Sequence, residues 1–536
     1  MVHDDTNDYI WSESDITSIV LNGNSITING TGATVSGTIL TINSGGNFRI
    51  SGTLTDGQVI VNSTNDSIVR LILNNASISC SSGSAIYVAK AEKTIIVLEN
   101  ETSNTLTDGT SYTTSSDGPN ATIYSTDDLT IYGEGSLTVT GNYADGITSK
   151  DGLIIAGGTI TVKALDDGIR GKDYLVIKSG NINIAAGGDG LKSDNDENTA
   201  KGYISIVSGN IKVVSGGDAI TAETDVIIEG GTIELTSGNG VISSTISKKG
   251  IKAGVMISVA EGNVTVNATD DAIHSNQNIE ITGGTMTFSS GDDGIHAESN
   301  LVISAGNINI TKSYEGLESA LGNINISGGN IYIVASDDGI NVSAGGAPSG
   351  GGPGRVSSSI SNTSTTYALN ISGGYIEINN EGDGIDSNDA MNISGGTIIV
   401  NSAEYNENSS IDCDGTCKVT GGNLTCIGVS QMAQAPGTSS TQYTVMINFK
   451  SRIVKESIIH VEDSNGNEIV TCKAIKSFSS FIFSTSDLEK GSTYKIYIGG
   501  SSTGTLVDGI YTNGTFSGGT LYSSFTISSI ITTKTI

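Results

Sequence analysis

Alternating apolar and polar positions dominate the chain, in short runs separated by glycine. In the segment that begins at Asp167, Leu175 and Ile177 are two residues apart. Ile182 and Ile184 repeat this spacing. Alternation with period two is typical of strands that bury one face, whereas a helix requires a period of 3.6 residues. The pattern therefore predicts short strands joined by glycine turns, and it disfavours helical repeats.

A repeat of 22 residues organises these strands. Its first signature is Asp-(Gly/Ala)-(Ile/Leu), which begins at Asp145, Asp167, Asp189, Asp218, Asp271, Asp293, Asp338 and Asp383, with a variant at Glu315. Its second signature is Gly-Gly-(Thr/Asn)-(Ile/Met), which begins at Gly157, Gly230, Gly283, Gly328 and Gly395. Regular repeats of this length are typical of solenoids, in which each repeat packs only on its neighbours.

Two longer steps indicate insertions at turns. The step from Asp189 to Asp218 is 29 residues and contains the polar segment 194–198. The step from Asp338 to Asp383 is 45 residues, and we interpret it as two repeats that include the Gly/Pro-rich segment 345–354. A regular repeat supplies three strands with two inward residues each. This arrangement predicts an all-β fold, a right-handed parallel β-helix whose equivalent residues stack at about 4.8 Å.

The repeat divides the chain into three predicted regions. Residues 1–20 form an N-terminal arm, residues 21–437 form the β-helix with weaker repeats at its start, and residues 438–536 form a β-rich segment. A hairpin signal at Asn465-Gly466 lies between the alternating runs 458–461 and 468–470. We expect the last region to cap the solenoid, because an open end exposes strand edges.

The charge of the chain excludes some classes of partner. Its formal net charge is −30, with 56 acidic and 26 basic residues, so nucleic acid and anionic lipid are poor ligands. No run of 18 apolar residues appears, which predicts that nothing spans a membrane. No hydrophobic signal segment follows Met1. The acidic surface, rich in Gly, Ser, Thr and Asn, favours an extracellular or cell-surface protein whose signal is absent from this sequence.

The chain has five cysteines: Cys80, Cys413, Cys417, Cys426 and Cys472. An odd number excludes complete pairing within one chain. The close pair at Cys413 and Cys417 has no second pair and no nearby His, so it does not complete a zinc set. We expect small buried side chains, with one local disulfide as the alternative.

The residues three and five positions after each repeat Asp are predicted to face outward along one ribbon. The ribbon starts with four cations at Lys150, Arg170, Lys172 and Lys192. A carboxylated sugar chain can pair with such a patch. The alternative is that the cations only neutralise the repeat aspartates, and the two interpretations are compatible.

Acidic residues follow along the same repeats, and they predict bound Ca²⁺. The candidate ligands are Asp166, Asp167, Asp189, Asp194, Asp196, Asp218, Glu223, Asp270, Asp271, Asp292, Asp293, Glu298, Asp337 and Asp338. Between Asp189 and Glu223 we expect no basic partner beyond Lys192 and Lys201, and stacked like charges repel unless a cation lies among them. Calcium accepts roughly six to eight oxygen ligands in flexible geometry. The alternative for any single pair is a solvated turn.

Two of the four histidines, His274 and His296, are 22 residues apart and should lie one above the other. They are candidates to bind sugar hydroxyls or to act as acid and base. The alternative, which we favour, is that both are surface positions without a function. We expect no aromatic ladder along the ribbon, so stacking on sugar rings is not the main predicted mode of binding.

Three motifs carry a resemblance to a known family: Asp-Asp-Gly-Ile-Arg-Gly-Lys at 166–172, Gly-Gly-Asp-Gly-Leu-Lys-Ser-Asp-Asn-Asp-Glu at 187–197 and Gly-Asp-Asp-Gly-Ile-His-Ala at 291–297. They resemble the clostridial carbohydrate-binding β-helix family, whose fold is similar to that of the family 9 pectate lyases. The resemblance runs from about Trp11 to the C-terminus. It implies an extracellular protein that binds plant cell-wall polysaccharide, with polygalacturonate and cellulose as ligands and Ca²⁺ in the β-helix.

Three functions follow from these observations. We favour a calcium-binding, non-catalytic protein that binds acidic polysaccharide such as polygalacturonate or pectin. The second is a calcium-dependent pectate lyase acting by β-elimination, for which the resemblance places Lys172 or Arg170 as the base, although no lyase motif matches residue by residue. The third is a structural or adhesive surface protein, in which the basic patch only balances charge.

Overall fold

The computed structural model describes residues 3–63, 67–112, 118–240, 247–343, 366–405 and 408–536. These residues belong to two compact units. Unit 1 comprises Met1–Ile242 and Lys248–Thr269, and unit 2 comprises Ser243–Ser247 and Asp270–Ile536. Within the described residues, no helix has the length and hydrophobicity needed to cross a membrane. The Gly/Pro-rich segment 345–354 lies outside the described residues.

Unit 1 consists of strands and three short 3₁₀ turns, Thr6–Tyr9, Glu13–Asp15 and Gly238–Gly240. Its strands are Ile16–Gly23, Ile26–Asn29, Ala33–Ser36, Ile39–Ile42, Gly46–Leu54, Gln58–Asn62, Ile68–Cys80, Ile86–Lys90, Lys93–Leu98, Ser103–Asp108, Ala121–Ser125, Asp128–Gly133, Ser136–Gly141, Asp145–Ser149, Gly152–Ala164, Ile169–Gly171, Tyr174–Ala186, Leu191–Ser193, Tyr203–Ile206, Asn210–Ser215, Ile220–Ala222, Asp225–Ile228, Thr232–Thr236, Ile251–Ala253, Met256–Val259 and Asn263–Asn267.

Unit 2 starts with the same pattern of short strands and ends with longer ones. The short strands are Ile273–Ser275, Asn278–Ile281, Thr285–Ser289, Ile295–Ala297, Leu301–Ile303, Asn307–Ser313, Leu317–Ser319, Ile324–Ile326, Asn330–Ala335, Ile340–Val342, Ala368–Ile371, Tyr375–Asn380, Ile385–Ser387, Ala390–Ile393, Thr397–Asn401, Asp412–Cys413, Cys417–Val419 and Asn423–Gly428. The remaining strands are Thr444–Ile453, Ile458–Asp463, Glu468–Lys473, Phe478–Ser484, Thr493–Ile498, Ser501–Ser502, Thr505–Val507, Ile510–Thr512, Phe516–Ser517, Thr520–Thr526 and Ile531–Thr535.

Equivalent strands of successive repeats pair in parallel. Ile147 lies beside Ile169 in unit 1, and Ile273 lies beside Ile295 in unit 2. All four of these side chains are fully buried. The apolar residue two positions after each repeat Asp therefore builds a continuous core, because parallel register stacks identical positions. The prediction of an all-β protein with parallel sheets is confirmed.

The 45-residue step is a single repeat with an insertion, so its interpretation as two repeats is wrong. Ile340 pairs directly with Ile385, and Leu369 pairs directly with Ile324. No strand therefore lies between Ile340–Val342 and Ile385–Ser387 in their sheet. This outcome follows from the pairing itself, since an insertion at a turn leaves the strand register unchanged.

The second glycine of the Gly-Gly signature has a backbone that other residues rarely adopt. Gly329 has φ +90°, and a Cβ atom there would approach the carbonyl oxygen of Gly306 to 3.0 Å. Both the left-handed conformation and the close approach to the previous repeat require a residue without a side chain. The Gly-Gly signature therefore marks a turn at which successive repeats pack backbone against backbone.

The C-terminal part of unit 2 is antiparallel. The strands at 458–463 and 468–473 pair as the predicted hairpin, with Gly466 at φ +85° in the turn. Phe478–Ser484 pairs with Asn423–Gly428, the last strand of the parallel series, and leaves that edge covered. Phenylalanines and aliphatic residues from these strands share one core. All five cysteines are free and buried, which confirms the expectation of small buried side chains.

Candidate functional site

The repeat aspartates form a ladder with the backbone. The Oδ1 atom of Asp167 accepts a hydrogen bond of 2.9 Å from the backbone N–H of Asp189, one repeat further on. Asp189 accepts the same bond from Asp218 at 2.9 Å, and in unit 2 Asp271 accepts it from Asp293 at 3.0 Å. A buried N–H group needs an acceptor, and the carboxylate supplies it. The Oδ1 atom of the repeat Asp therefore has a structural role, as the acceptor that joins one repeat to the next.

The second oxygen of the same carboxylates holds the residue three positions later. Thr148 donates to Oδ2 of Asp145 at 2.9 Å, and Lys192 donates to Oδ2 of Asp189 at 2.9 Å. In unit 2, Nδ1 of His274 lies 2.8 Å from Oδ2 of Asp271. We call the residues three positions after the repeat Asp, together with their strand partners, the +3 column. The Oδ2 atoms of the repeat aspartates thus orient the side chains of the +3 column.

In unit 1 the +3 column continues towards the N-terminus with two tyrosines. Tyr87 pairs with Tyr124, which pairs with Thr148, which pairs with Arg170. The two rings have centroids 6.0 Å apart, and Tyr124 is buried whereas Tyr87 is half-buried. The expectation of a ribbon without aromatic residues is thus wrong in unit 1. The weaker repeats around these tyrosines lack the Asp signature, so counting three residues from a repeat Asp could not identify them.

Two of the four predicted cations have close carboxylate partners. Nζ of Lys192 lies 3.0 Å from Asp167 and 2.9 Å from Asp189, so it bridges two repeats of the ladder. Arg170 pairs at 2.6 Å with Asp194, which lies in the insertion and not in the ladder. These carboxylates raise the pKa of Lys192 and of Arg170 against the opposing effect of burial. Lys192 therefore neutralises repeat aspartates, whereas Arg170 is held by a residue of the insertion.

The other two cations lie further out. Lys150 is exposed, and Lys172 lies beside it, one residue beyond the paired Ser149 and Gly171. Among the described residues Lys172 has a loose ion pair, with Nζ 3.7 Å from the exposed carboxylate of Glu197. A weakly paired ammonium group can exchange such a partner for a ligand at little cost. Lys150 and Lys172 therefore remain available to an anionic ligand.

The acidic residues between Asp189 and Glu223 have a basic partner that the sequence analysis did not expect. Asp194 has Arg170 as its partner, and Lys201 pairs with Asp173 instead of these residues. The expectation that no further basic residue lies nearby is therefore wrong, because the register places Arg170 next to the insertion. The remaining predicted ligands of this region differ in exposure: Asp218 is half-buried, whereas Asp166, Asp196 and Glu223 are exposed.

In unit 2 the +3 column begins with the two histidines. His274 pairs with His296, and their rings stack with centroids 4.8 Å apart and planes 20° apart. The stacking prediction is confirmed, but the expectation of surface positions is wrong. Only 9% of His274 and 7% of His296 is exposed. Each imidazole is held by the Asp three residues earlier, with Nδ1 of His296 2.8 Å from Asp293 and 2.6 Å from Glu318.

Beside the histidines, three of the predicted calcium ligands come together. One carboxylate oxygen from each of Asp270, Asp271 and Asp292 lies within 4.8 Å of the other two. Asp271 is buried and the other two are half-buried. Ser247 donates to Oδ2 of Asp270 at 2.6 Å. We call these three residues the acidic triad. Its donor set consists of hard oxygen ligands, the kind that Ca²⁺ selects.

A second acidic group surrounds Asp338 further along unit 2. Burial first and then Asp337 raise the pKa of Asp338 to about 7. Burial and the neighbouring carboxylates raise the pKa of Asp386 to about 8, and they raise that of Asp383 to about 6. Asp412 is the strand partner of Asp386. We call Asp338, Asp383, Asp386 and Asp412 the acidic cluster.

Sequence reasoning missed three members of the acidic cluster, although a signal existed. The rule that defines the +3 column, applied to Asp383, gives Asp386. The buried amide of Asn341 lies next to the acidic cluster, because Asn341 is the strand partner of Asp386 and is 7% exposed. Its Nδ2 donates to Glu315 at 3.0 Å, while its Oδ1 has no hydrogen-bond donor among the described residues.

Residues 36–294 match a family model described as carbohydrate-binding domain-containing protein. The matched stretch is similar to a carbohydrate-binding domain. It includes both tyrosines and the four predicted cations Lys150, Arg170, Lys172 and Lys192. His274 and the acidic triad also fall within the matched residues, whereas His296 lies just beyond them.

Two individual proteins show the same similarity. A carbohydrate-binding domain-containing protein of Acetivibrio thermocellus is 36% identical over 126 residues, which is 23% of this chain and 44% of that protein. The chain thus aligns with less than half of the length of this relative. A solved structure described as the polysaccharide lyase-like protein from C. thermocellum, a gadolinium derivative, is 34% identical, with 47% of this chain and 94% of that chain aligned at a TM-score of 0.39.

Proposed function

We propose that the protein is an extracellular, non-catalytic binding protein for acidic plant cell-wall polysaccharide, polygalacturonate or pectin, built on a right-handed parallel β-helix. The carbohydrate-binding family model that matches residues 36–294 supports the ligand class. The parallel register of strands 22 residues apart supports the solenoid. The acidic choice of ligand rests on the charges of unit 1, described next.

The observation that carries the proposal is the combination of outward cations and a half-buried ring on one sheet. Lys150 is exposed and Lys172 is half-buried beside the +3 column, and Tyr87 lies in that column. Ammonium groups pair with the carboxylates of a uronate chain, and the phenol ring offers an apolar surface to a sugar. Lys150 and Lys172 are neighbours on adjacent strands, about 4.8 Å apart. A linear polyanion laid along the column meets successive cations.

The ion pairs of the predicted cations in unit 1 favour binding over lyase chemistry. A lyase base must be able to lose its proton, but Asp194 holds the guanidinium of Arg170 and raises its pKa. Lys192 is likewise held between two carboxylates. Lys172 is then the remaining candidate for a base. We therefore keep polygalacturonate cleavage as the alternative that the experiment must exclude.

The test is calorimetric titration of polygalacturonate into the full chain, with absorbance followed for the unsaturated product of β-elimination. We expect binding without product. The double variant Lys150→Gln and Lys172→Gln should weaken binding about tenfold or more, since a charge-assisted hydrogen bond contributes about 1.5 to 3 kcal/mol. Binding should also weaken with salt. Tyr87→Ala should weaken binding of a neutral cello-oligosaccharide, the second ligand class.

The matched control is Lys212→Gln, which removes an exposed lysine that pairs with Glu234 on a different sheet of unit 1. It should bind polygalacturonate like the parent. If the double variant bound polygalacturonate as tightly as the parent, the proposed role of Lys150 and Lys172 would be contradicted. Release of unsaturated product would contradict the non-catalytic proposal, and absence of any binding would favour a structural or adhesive role.

We propose further that Ca²⁺ binds at the acidic triad. Asp270, Asp271 and Asp292 supply three close oxygens, which fits the oxygen preference of the ion. Bound Ca²⁺ would neutralise like charges that otherwise repel. At the acidic cluster, the donor-free Oδ1 of Asn341 beside Asp386 supports a second ion. The acidic triad offers carboxylate oxygens, and the acidic cluster adds the amide oxygen of Asn341 to its carboxylates.

Thermal unfolding with excess Ca²⁺ and with chelator tests both places. Calcium should raise the melting temperature of the parent, because an ion that binds only the folded state stabilises it by mass action. Asp292→Asn and Asp386→Asn should each reduce that rise. Glu489→Gln, an exposed carboxylate of unit 2, is the control and should leave it unchanged. A parent whose melting temperature does not respond to Ca²⁺ would exclude both sites.

A further inference from the structure

The two stacked histidines of unit 2 are oriented in the same way. Nδ1 of His274 faces Asp271 at 2.8 Å, and Nδ1 of His296 faces Asp293 at 2.8 Å. When a carboxylate accepts the proton of Nδ1, the lone pair of a neutral imidazole is on Nε2. Carboxylates that orient imidazoles in this way are the usual partners of metal-binding histidines. The ladder thus fixes two imidazoles with the same nitrogen directed away from it.

The two Nε2 atoms differ in their partners among the described residues. Nε2 of His296 is buried without a hydrogen-bond partner there, and Oε1 of Glu298 lies 3.6 Å from it. Nε2 of His274 has a hydrogen bond of 3.2 Å to Oδ1 of Asn276, which a metal ion would replace. A buried polar atom without a partner is costly, so its presence calls for a ligand. Glu298 is 43% exposed at its side chain and opens this position to solvent.

We propose that His274, His296 and Glu298 bind a transition-metal ion of the zinc class. The ligands are the two Nε2 atoms and the carboxylate, while Asp271 and Asp293 orient the imidazoles. Two imidazoles and one carboxylate are a common donor set for Zn²⁺, with water at the remaining position. Imidazole nitrogen is a poor ligand for Ca²⁺, so this site differs in chemistry from the acidic triad.

Binding of one ion requires both imidazole rings to rotate. Their centroids are 4.8 Å apart and their planes 20° apart, so the two Nε2 atoms now face the same side without converging. Zinc bonds to nitrogen are about 2.0 Å long, so two ligands on one ion lie roughly 3 to 4 Å apart. Rotation of the two rings about their side-chain bonds and of the flexible Glu298 closes the difference. The strand pairing keeps the two histidines in register during this movement.

Metal and proton compete for any histidine ligand, so metal binding should become weaker as pH falls. Nδ1 of His296 lies 2.8 Å from Asp293 and 2.6 Å from Glu318. The same carboxylates then serve the metal-bound state, since they compensate its positive charge.

The test uses the full chain after removal of metal, with Zn²⁺ alone as the probe. Calorimetry in two buffers of different ionisation enthalpy should give one ion per chain at micromolar affinity or tighter, with proton release. Cobalt, as a spectroscopic substitute, should give a visible absorption band. Millimolar Ca²⁺ should not displace either ion. Glu298→Gln, a change at a half-exposed residue, should weaken Zn²⁺ binding about tenfold or more without affecting the fold.

His274→Ala and His296→Gln should lower the affinity about a hundredfold. The matched control is His460→Gln, because His460 is also buried and near carboxylates but has no second imidazole beside it. Unchanged Zn²⁺ affinity in Glu298→Gln and the histidine variants would overturn the proposal, as would absence of Zn²⁺ binding by the parent. Polygalacturonate binding, which depends on lysines of unit 1, is measured separately, so its failure and the failure of this site are distinguishable.

Discussion

Replacement of Lys192 by Gln tests whether this cation stabilises the fold or is available only to bind a ligand. Nζ of Lys192 lies 3.0 Å from Asp167 and 2.9 Å from Asp189, and 26% of the lysine side chain is exposed. Removal of one partner from a buried ion pair costs about 3 to 5 kcal/mol, because the other charge loses its compensation. With partial exposure we expect a loss of about 2 to 3 kcal/mol in the free energy of unfolding.

The effect should depend on pH in a defined direction. Burial raises the pKa of Asp167, and Lys192 is the main influence that opposes this rise. Without Lys192 the pKa of Asp167 rises further, so the folded variant is favoured when that carboxyl is protonated. The loss of stability should therefore be full at neutral pH and should shrink as pH falls through the range in which Asp167 binds its proton.

Thermal unfolding at pH 7.5 and pH 4 measures both parts of this prediction. A loss of about 2 to 3 kcal/mol corresponds to a melting temperature about 4 to 12 °C lower for a unit of this size. Lys212→Gln is the control, since both partners of the Lys212 and Glu234 pair are more than half exposed. We expect at most about 0.5 kcal/mol for it. A Lys192 variant that melts like the Lys212 variant, or whose deficit is the same at both pH values, would refute the reasoning.

Three further predictions concern the packing and the charges of unit 2. Ile295→Ala should cost about 2 to 5 kcal/mol in chemical unfolding, because the side chain is fully buried, whereas Val334→Ala, 44% exposed, should stay within about 0.5 kcal/mol. Gly329→Ala should lower the melting temperature more than Gly466→Ala, since both have positive φ but only the first meets a neighbouring backbone. Glu377→Gln should flatten the stability profile between pH 5 and 8. Burial, followed by Asp508, raises the pKa of Glu377 to about 7, so the parent should lose up to about 3 kcal/mol as pH rises through that value.

The strands and the core could be predicted from the sequence because the signal is repeated. Ile169 is two positions after Asp167, and the same offset recurs in most repeats, so one correct interpretation applies to all of them. The hairpin around Gly466 could be predicted because Asn-Gly has a strong backbone preference. The 45-residue step was misread, since length alone does not distinguish an inserted loop from an additional repeat.

The candidate sites could be predicted only in part. The stacking of His274 on His296 follows from their spacing, but their burial depends on Glu318 and the neighbouring carboxylates. The ion pair between Arg170 and Asp194 could not be predicted, because Asp194 lies at the start of an insertion whose course the repeat does not define. Tyr87 was missed because its repeat lacks the Asp signature. Side-chain partners depend on rotamers and loop paths, which a periodic pattern does not specify.

The bond from each repeat Asp to the backbone of the following repeat has a consequence for how such a chain can change its length. Asp167 contacts Asp189, and Asp189 in turn contacts Asp218, despite the longer connection between the last two. The acceptor of one repeat is thus matched to the donor of the next repeat, whatever loop joins them. Duplication or loss of a whole repeat leaves every such bond intact, while the loops between repeats can diverge freely. Selection can therefore alter the number of repeats and the chemistry of their loops independently.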